Sequence, residues 1–241
     1  AFAARRLKKM DRRTLTGAVL MGCCLAAAYI VQTYGLVYTT AGKNAFLTAT
    51  YCVLVPFLAW AVYKRKPGVN NVIAAVLCIT GIGFVSLSSG FDRLNIGDVL
   101  TLLCGVFYAF QIIMMENYID GGDSVSISAV EFSTAAVMCL VGALIFEPVP
   151  TNIPHDAYFA ILYLSVMGTA VCFFLQAWGM QYTPSATAAV IMTLEAVFGA
   201  LFSVLFAHEE LTPRLTLGFS LIFVSVLMSE VGGMLFKRKK A

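Results

Sequence analysis

Eight long apolar runs divide the chain, and no other feature limits its fold as strongly. They cover approximately residues 15–38, 44–63, 71–88, 97–118, 126–147, 156–180, 185–207 and 213–236. A helix needs about 20 mostly apolar residues to cross a bilayer. Inside lipid, a continuous run of this length satisfies its own backbone hydrogen bonds only as a helix. The runs therefore predict an all-α, polytopic helical membrane protein with eight spans.

The composition excludes a water-soluble domain. Of the 241 residues, 60% are hydrophobic and only 12% are charged, whereas a soluble domain has about 25% charged residues. All seven cysteines lie in apolar stretches, and none forms a CxxC motif or a cluster with histidine. They are expected to pack between helices. The sequence therefore predicts neither a disulfide framework nor a metal site, and we expect no cofactor.

The distribution of lysine and arginine predicts the orientation of the spans. Positive residues concentrate in the cytoplasmic loops of membrane proteins. Of the 16 Lys and Arg residues, 13 lie in the N-terminal segment, in the loop at 64–66 and after residue 236, and the other three are Lys43, Arg93 and Arg214. The crowded side is expected to be cytoplasmic, with both ends of the sequence on it. We expect a multi-pass protein of the cytoplasmic (inner) membrane and no nucleic-acid partner.

The sequence also contains an internal repeat. At an offset of 144 residues, the segment 32–39 aligns with 176–183, sharing Gln, Gly, Tyr and Thr in register. Five predicted spans separate equivalent positions, so the two copies must cross the membrane in opposite directions. Inverted repeats of this kind are typical of secondary transporters, whose substrate site lies near the membrane midplane. We predict a first repeat at residues 1–90 and a second at 91–241.

The repeat predicts helices upstream of this sequence. The spans at 97–118 and 126–147 have no equivalents in the first half. We therefore expect an inverted-repeat transporter bundle of ten spans, with eight present here and only the last three helices of the first repeat. A genuine eight-helix protein is the alternative.

Several short motifs resemble the drug/metabolite transporter superfamily, specifically its EamA-type members. The motifs lie at residues 38–41, 45–48, 53–56, 97–98, 168–170, 176–189, 210–213 and 218. One departure is that Glu195 is followed by alanine, where the family commonly has Glu-Pro. The resemblance covers essentially the whole chain. It implies a ten-helix carrier of small metabolites, commonly amino acids or drug-like compounds.

Glu195 is the most informative single residue for function. It lies near the centre of its predicted span, where a carboxylate costs about 3 kcal/mol on insertion scales. The Lys and Arg residues all lie in loops or at span ends. Three explanations stay open: a neutral acid that couples transport to protons, hydrogen bonds to neighbouring Tyr or Gln side chains, and a positive group on the substrate.

Other polar residues within the spans are candidates to line a central cavity. Tyr29 and Gln32 share a helix face, and Tyr108 and Gln111 repeat that spacing. Glu131 is expected about 8 Å below the membrane surface, where it could also lean outward to water. Asp98 is expected to cap the start of its helix. The complete set of predicted substrate-binding residues is Tyr29, Gln32, Thr48, Tyr51, Tyr108, Gln111, Glu131, Thr169, Gln176, Thr193 and Glu195.

These observations predict a secondary transporter, an exporter of small metabolites that works by alternating access. The sequence has no HExxH or GxSxG motif, so no enzyme is expected. The alternative is a non-transporting membrane sensor or interaction protein that reuses the fold. The expected partners are a small-molecule substrate and the lipid bilayer. Proton coupling and a homodimer stay open.

Overall fold

A computed structural model describes residues 10–64, 66–86, 95–118, 124–147, 154–182, 192, 194–208 and 210–238. The described chain is helical throughout. Its helices are α1 (Arg12–Tyr38), α2 (Ala41–Ala49), α3 (Tyr51–Tyr63), α4 (Val69–Ser86), α5 (Ile96–Tyr118), α6 (Ser124–Phe146), α7 (His155–Tyr163), α8 (Cys172–Tyr182), α9 (Leu194–Ala207) and α10 (Pro213–Arg238). A π-helical segment at Leu164–Val171 joins α7 to α8.

Among the described residues, the helices fall in the predicted spans, and residues 87–88, 185–191 and 193 of those spans lie outside the description. Five segments are long and apolar enough to cross a membrane, namely Arg12–Tyr38, Ala41–Val62, Ile96–Met115, Val125–Phe146 and Ala157–Gly179. Three apolar helices are shorter, at Val69–Val85, Leu194–Ala207 and Pro213–Ser229. The polytopic, all-helical membrane fold is therefore confirmed.

The second span is broken in the middle, between α2 and α3. The side chain of Thr50 donates a hydrogen bond to the Leu47 carbonyl oxygen at 2.7 Å, an alternative to the helical backbone ladder. At the other end of α2, Thr40 is the N-cap and accepts from the Lys43 amide at 3.4 Å. Lys64 ends α3 in the left-handed conformation, with φ 58°. Thr50 is therefore the boundary between α2 and α3 within one apolar segment.

The chain forms two compact units. Unit 1 comprises residues 1–26 and 114–184, and unit 2 comprises residues 27–113 and 185–241. This division reflects packing and cuts α1 and α5, whereas the predicted repeats at 1–90 and 91–241 are defined by sequence. The repeat boundaries stay a prediction.

Unit 1 has a small apolar core. Its buried residues come from α1, α5, α6 and α8, and they are Ala18, Met21, Met115, Ile127 and Ala177. Helices α1 and α6 approach closely at Gly22, because a Cβ added there would lie 2.5 Å from the Glu131 carbonyl oxygen. Small residues permit such approach between membrane helices.

Unit 2 has the larger core. The rings of Phe46 on α2 and Phe219 on α10 stack with centroids 4.2 Å apart. Helices α4 and α10 cross at Gly81 and Gly218, where a Cβ added at Gly81 would lie 2.9 Å from the Gly218 carbonyl oxygen. This packing supports the side of α2 that carries Phe46.

Candidate functional site

A cavity of about 200 Å³ lies inside unit 2, between α1, α2, the start of α3 and α9. Most of the apolar residues that line it are alanine or glycine. The polar lining brings together residues that are distant in sequence. The described residues that line it are Gln32, Leu36, Ala41, Asn44, Ala45, Thr48, Ala49, Tyr51, Met192, Glu195, Ala196 and Gly199.

The side-chain amide of Gln32 is the centre of a hydrogen-bond network. Its Nε2 donates to Asn44 Oδ1 at 3.0 Å and to Thr48 Oγ1 at 3.3 Å. Its Oε1 accepts from the Tyr108 hydroxyl at 2.9 Å. Asn44 Nδ2 continues the network to Thr101 Oγ1 at 3.0 Å. The network joins α1, α2 and α5 and fixes the orientation of the Gln32 amide.

Three tyrosine rings lie beside this network. Tyr51 and Tyr108 have ring centroids 6.2 Å apart, and Tyr29 meets Tyr108 edge to face at 6.4 Å. Tyr51 is buried and forms part of the cavity wall. Edge-to-face aromatic pairs stabilise packing beyond the apolar area that they bury. Among the described lining residues, Tyr51 is therefore the aromatic side chain at the cavity, and Tyr108 packs against it.

Glu195 carries the only formal charge among the described residues that line the cavity. Its side chain is exposed. It lines the same cavity as Tyr51. Within the part of the chain that the structure describes, no hydrogen bond or ion pair engages its carboxylate. The cavity is therefore acidic at one point and otherwise neutral.

Close packing of α9 on α2 forms the wall of the cavity near Glu195. A Cβ added at Gly199 would lie 2.7 Å from the Cβ of Ala45. Both residues line the cavity. A larger side chain at either position would enter the cavity or separate the two helices.

A seam between the end of α1 and the start of α5 holds the network in place. Asn95 Nδ2 donates to the Tyr38 carbonyl oxygen at 2.7 Å, and its Oδ1 accepts from the Gly97 amide at 2.9 Å. Asn95 therefore caps α5, and the expectation that Asp98 does so is wrong. Asp98 is 1% exposed, and its Oδ1 accepts from Thr39 Oγ1 at 2.6 Å. Its role is to tie α5 to α1.

Six of the predicted site residues are described but are not among the residues that line this cavity, namely Tyr29 and Tyr108, which lie beside it, and Gln111, Glu131, Thr169 and Gln176. Gln111 is buried in unit 2. Glu131 and Gln176 lie in unit 1 together with Thr169, whose hydroxyl donates to the Leu164 carbonyl oxygen of its own helix at 3.1 Å. Glu131 is only 1% exposed, so the expected option of leaning outward to water is wrong. Thr193 lies outside the described residues.

Asn44 is a cavity residue that the sequence reasoning missed. It is 6% exposed and bonds to both Gln32 and Thr101. An amide within an apolar span signals an interhelical hydrogen bond, and Asn44 lies one helical turn before Thr48. That spacing could have identified it.

Comparison with known proteins supports a membrane carrier. The sequence profile of the EamA-like transporter family matches residues 1–87 and 95–230. An uncharacterized transporter of Archaeoglobus fulgidus is 35% identical over 86% of this chain. The uncharacterized transporter YoaV of Bacillus subtilis is 23% identical over 99% of it. The chain spans 66% of the first relative and 82% of the second.

A solved protein structure has the same fold. It superposes with a TM-score of 0.65 at 13% identity, over 95% of this chain and 82% of its own. Similarity at that identity concerns the fold alone. The match of the family profile to most of the sequence, together with the helical membrane fold, shows that the chain belongs to the EamA-like transporter family.

Proposed function

We propose that the protein is a secondary transporter that exports small metabolites across the cytoplasmic membrane by alternating access. The cavity in unit 2 is the observation that carries this proposal. Polar groups within membrane spans are costly and mark substrate pathways. Here Gln32, Asn44, Thr48 and Glu195 converge on one space. Membership in the EamA-like transporter family supports the same conclusion.

The size of the cavity favours metabolites over drug-like compounds. Pockets for drug-sized ligands have volumes of about 300–1,000 Å³, and this cavity has about 200 Å³. Amino acids and drug-like compounds are the classes that the family resemblance implies. We place the basic loops and both ends of the sequence on the cytoplasmic side, following the bias of Lys and Arg.

Transport can be tested by counterflow in proteoliposomes with a panel of labelled amines, amino acids and nucleobases. Ala45→Phe should abolish uptake of any transported solute, because the new ring would fill the cavity that Ala45 lines. Ala61→Phe makes the same change at an exposed position on α3 and is the matched control.

Two results would contradict the proposal. One is uptake by Ala45→Phe at the rate of the control variant. The other is that the protein binds at least one solute of the panel but transports none of them. That result would instead support a sensor.

A further inference from the structure

The charge of the cavity lining restricts what it can hold. Glu195 contributes one negative charge, and no Lys, Arg or His occurs among the described lining residues. Lys43 is on the neighbouring α2 and is 7% exposed. Lys43 precedes Ala45 by two residues, and two residues correspond to slightly more than half a turn of an α-helix. Lys43 therefore projects from the opposite side of α2, away from the cavity that Ala45 lines.

The neutral polar groups of the lining have already used much of their hydrogen-bonding capacity. The Gln32 amide is engaged at both its nitrogen and its oxygen. The Asn44 amide accepts from Gln32 and donates to Thr101. Neither amide can turn toward the Glu195 carboxylate without breaking this network. The network therefore leaves the Glu195 carboxylate, which lines the cavity, available to a solute.

The tyrosine ring that lines the cavity is suited to a cation. The faces of tyrosine rings attract ammonium groups within about 6 Å. Tyr51 lines the same cavity as Glu195, and Tyr108 packs beside Tyr51 at 6.2 Å. A carboxylate next to aromatic rings is the combination that recognises a protonated amine. A solute carboxylate would instead be repelled by the negative charge of Glu195.

From this juxtaposition, we infer that the cavity binds a small organic amine in its protonated form, with the ammonium group between the Glu195 carboxylate and the Tyr51 ring. This inference rests on the proposed function and names its substrate class. It distinguishes amines from zwitterionic amino acids and from organic anions. The small lining residues Ala41, Ala45 and Ala49 leave room for the apolar body of the amine.

The test measures equilibrium binding to purified protein by calorimetry, using two matched series of probes. One series is phenethylamine, N-acetylphenethylamine, phenylalanine and phenylacetate, and the other is the corresponding series built on butylamine. Within at least one series, the amine should bind at least tenfold more tightly than the other three compounds. Equal affinity for the amine and its neutral acetamide, or failure of both amines to bind, would overturn the inference.

Variants test the role of the carboxylate directly. Glu195→Gln keeps the shape of the side chain and should weaken binding of the amine at least tenfold. Glu195→Asp keeps the charge and should retain most of the affinity. Glu210→Gln makes the same charge change at an exposed position outside the cavity and should have no effect. Unchanged amine binding by Glu195→Gln would contradict the inference, and the probe series decides the matter if that variant does not fold.

The binding assay and the flux assay separate the two proposals. Amine binding that depends on Glu195 but occurs without flux would retain this inference and overturn transport. Flux of amino acids or anions without amine binding would retain transport and overturn this inference.

Discussion

Substitution of Gly97 by alanine tests the seam between α1 and α5. An added Cβ would lie 2.6 Å from the Gly35 carbonyl oxygen and 2.8 Å from both the Thr39 nitrogen and the Tyr38 carbonyl carbon. All three atoms belong to the backbone, so no side-chain rotation can relieve the contact. Ordinary van der Waals contact begins at 3.4 Å. The end of α1 must therefore move away from α5.

The cost has two parts. Overpacking of a well-packed site costs about 1–3 kcal/mol. The same displacement breaks the 2.6 Å hydrogen bond between Thr39 and Asp98, and hydrogen bonds to charged groups contribute about 1.5–3 kcal/mol. Together these terms predict a loss of roughly 4 kcal/mol, or a fall of about 10 °C in the melting temperature for a protein of this size.

Thermal unfolding of the detergent-solubilised variant measures this effect. Gly83→Ala is the matched control, because Gly83 lies within α4 and an added Cβ there would meet no atom within 4 Å. Alanine favours a helix over glycine by about 1 kcal/mol, so the control should not be destabilised. If Gly97→Ala melts at the temperature of Gly83→Ala, the seam does not restrain the two helices and this reasoning is wrong.

Three further predictions concern hydrogen bonds and topology. Thr39→Val should lower the free energy of unfolding by about 2 kcal/mol, because it removes the hydrogen bond to Asp98, and Thr39→Ser should restore it in chemical denaturation. Gln32→Leu should cost about 2–4 kcal/mol by leaving buried partners unsatisfied, and it should also reduce counterflow; a stable and fully active variant would show that the network is dispensable. In a variant without other cysteines, an impermeant maleimide should label Glu210→Cys but not Lys66→Cys in intact cells, since five predicted spans separate the two positions. Labelling of both from outside would refute the predicted orientation.

Much of the site could be anticipated because polar residues are rare in apolar spans. Gln32, Thr48, Tyr51 and Glu195 were predicted to line a cavity, and the structure brings all four to one space in unit 2. Whether they bind substrate stays a prediction. Tyr29 and Tyr108 lie beside that space and contact each other. Periodicity alone could indicate these faces, because residues three or four apart on a helix point the same way.

Other features of the site depended on contacts between segments distant in sequence. The pairing of Thr39 with Asp98 joins positions that are 59 residues apart, so local capping rules assigned Asp98 to its own helix. Glu131 is buried, and its backbone lies where α6 approaches Gly22 of α1 closely. The position of a residue along its span does not predict which side of the helix is covered by a neighbouring helix.

The sequence by itself determined that the chain crosses a membrane as helices. The favourable free energy of transferring apolar residues into lipid adds up along each segment. Inside lipid, the backbone hydrogen bonds must also form within the segment, which only a helix permits for a run of this kind. Its motifs also indicated the transporter family. Only the tertiary structure decided which polar groups meet, since that depends on how each helix is rotated and how closely small residues let neighbours approach. The Gln32 amide is fixed by three side chains on two other helices, α2 and α5, whereas Glu195 has no hydrogen-bond partner among the described residues. That difference arises from packing, which hydropathy does not encode.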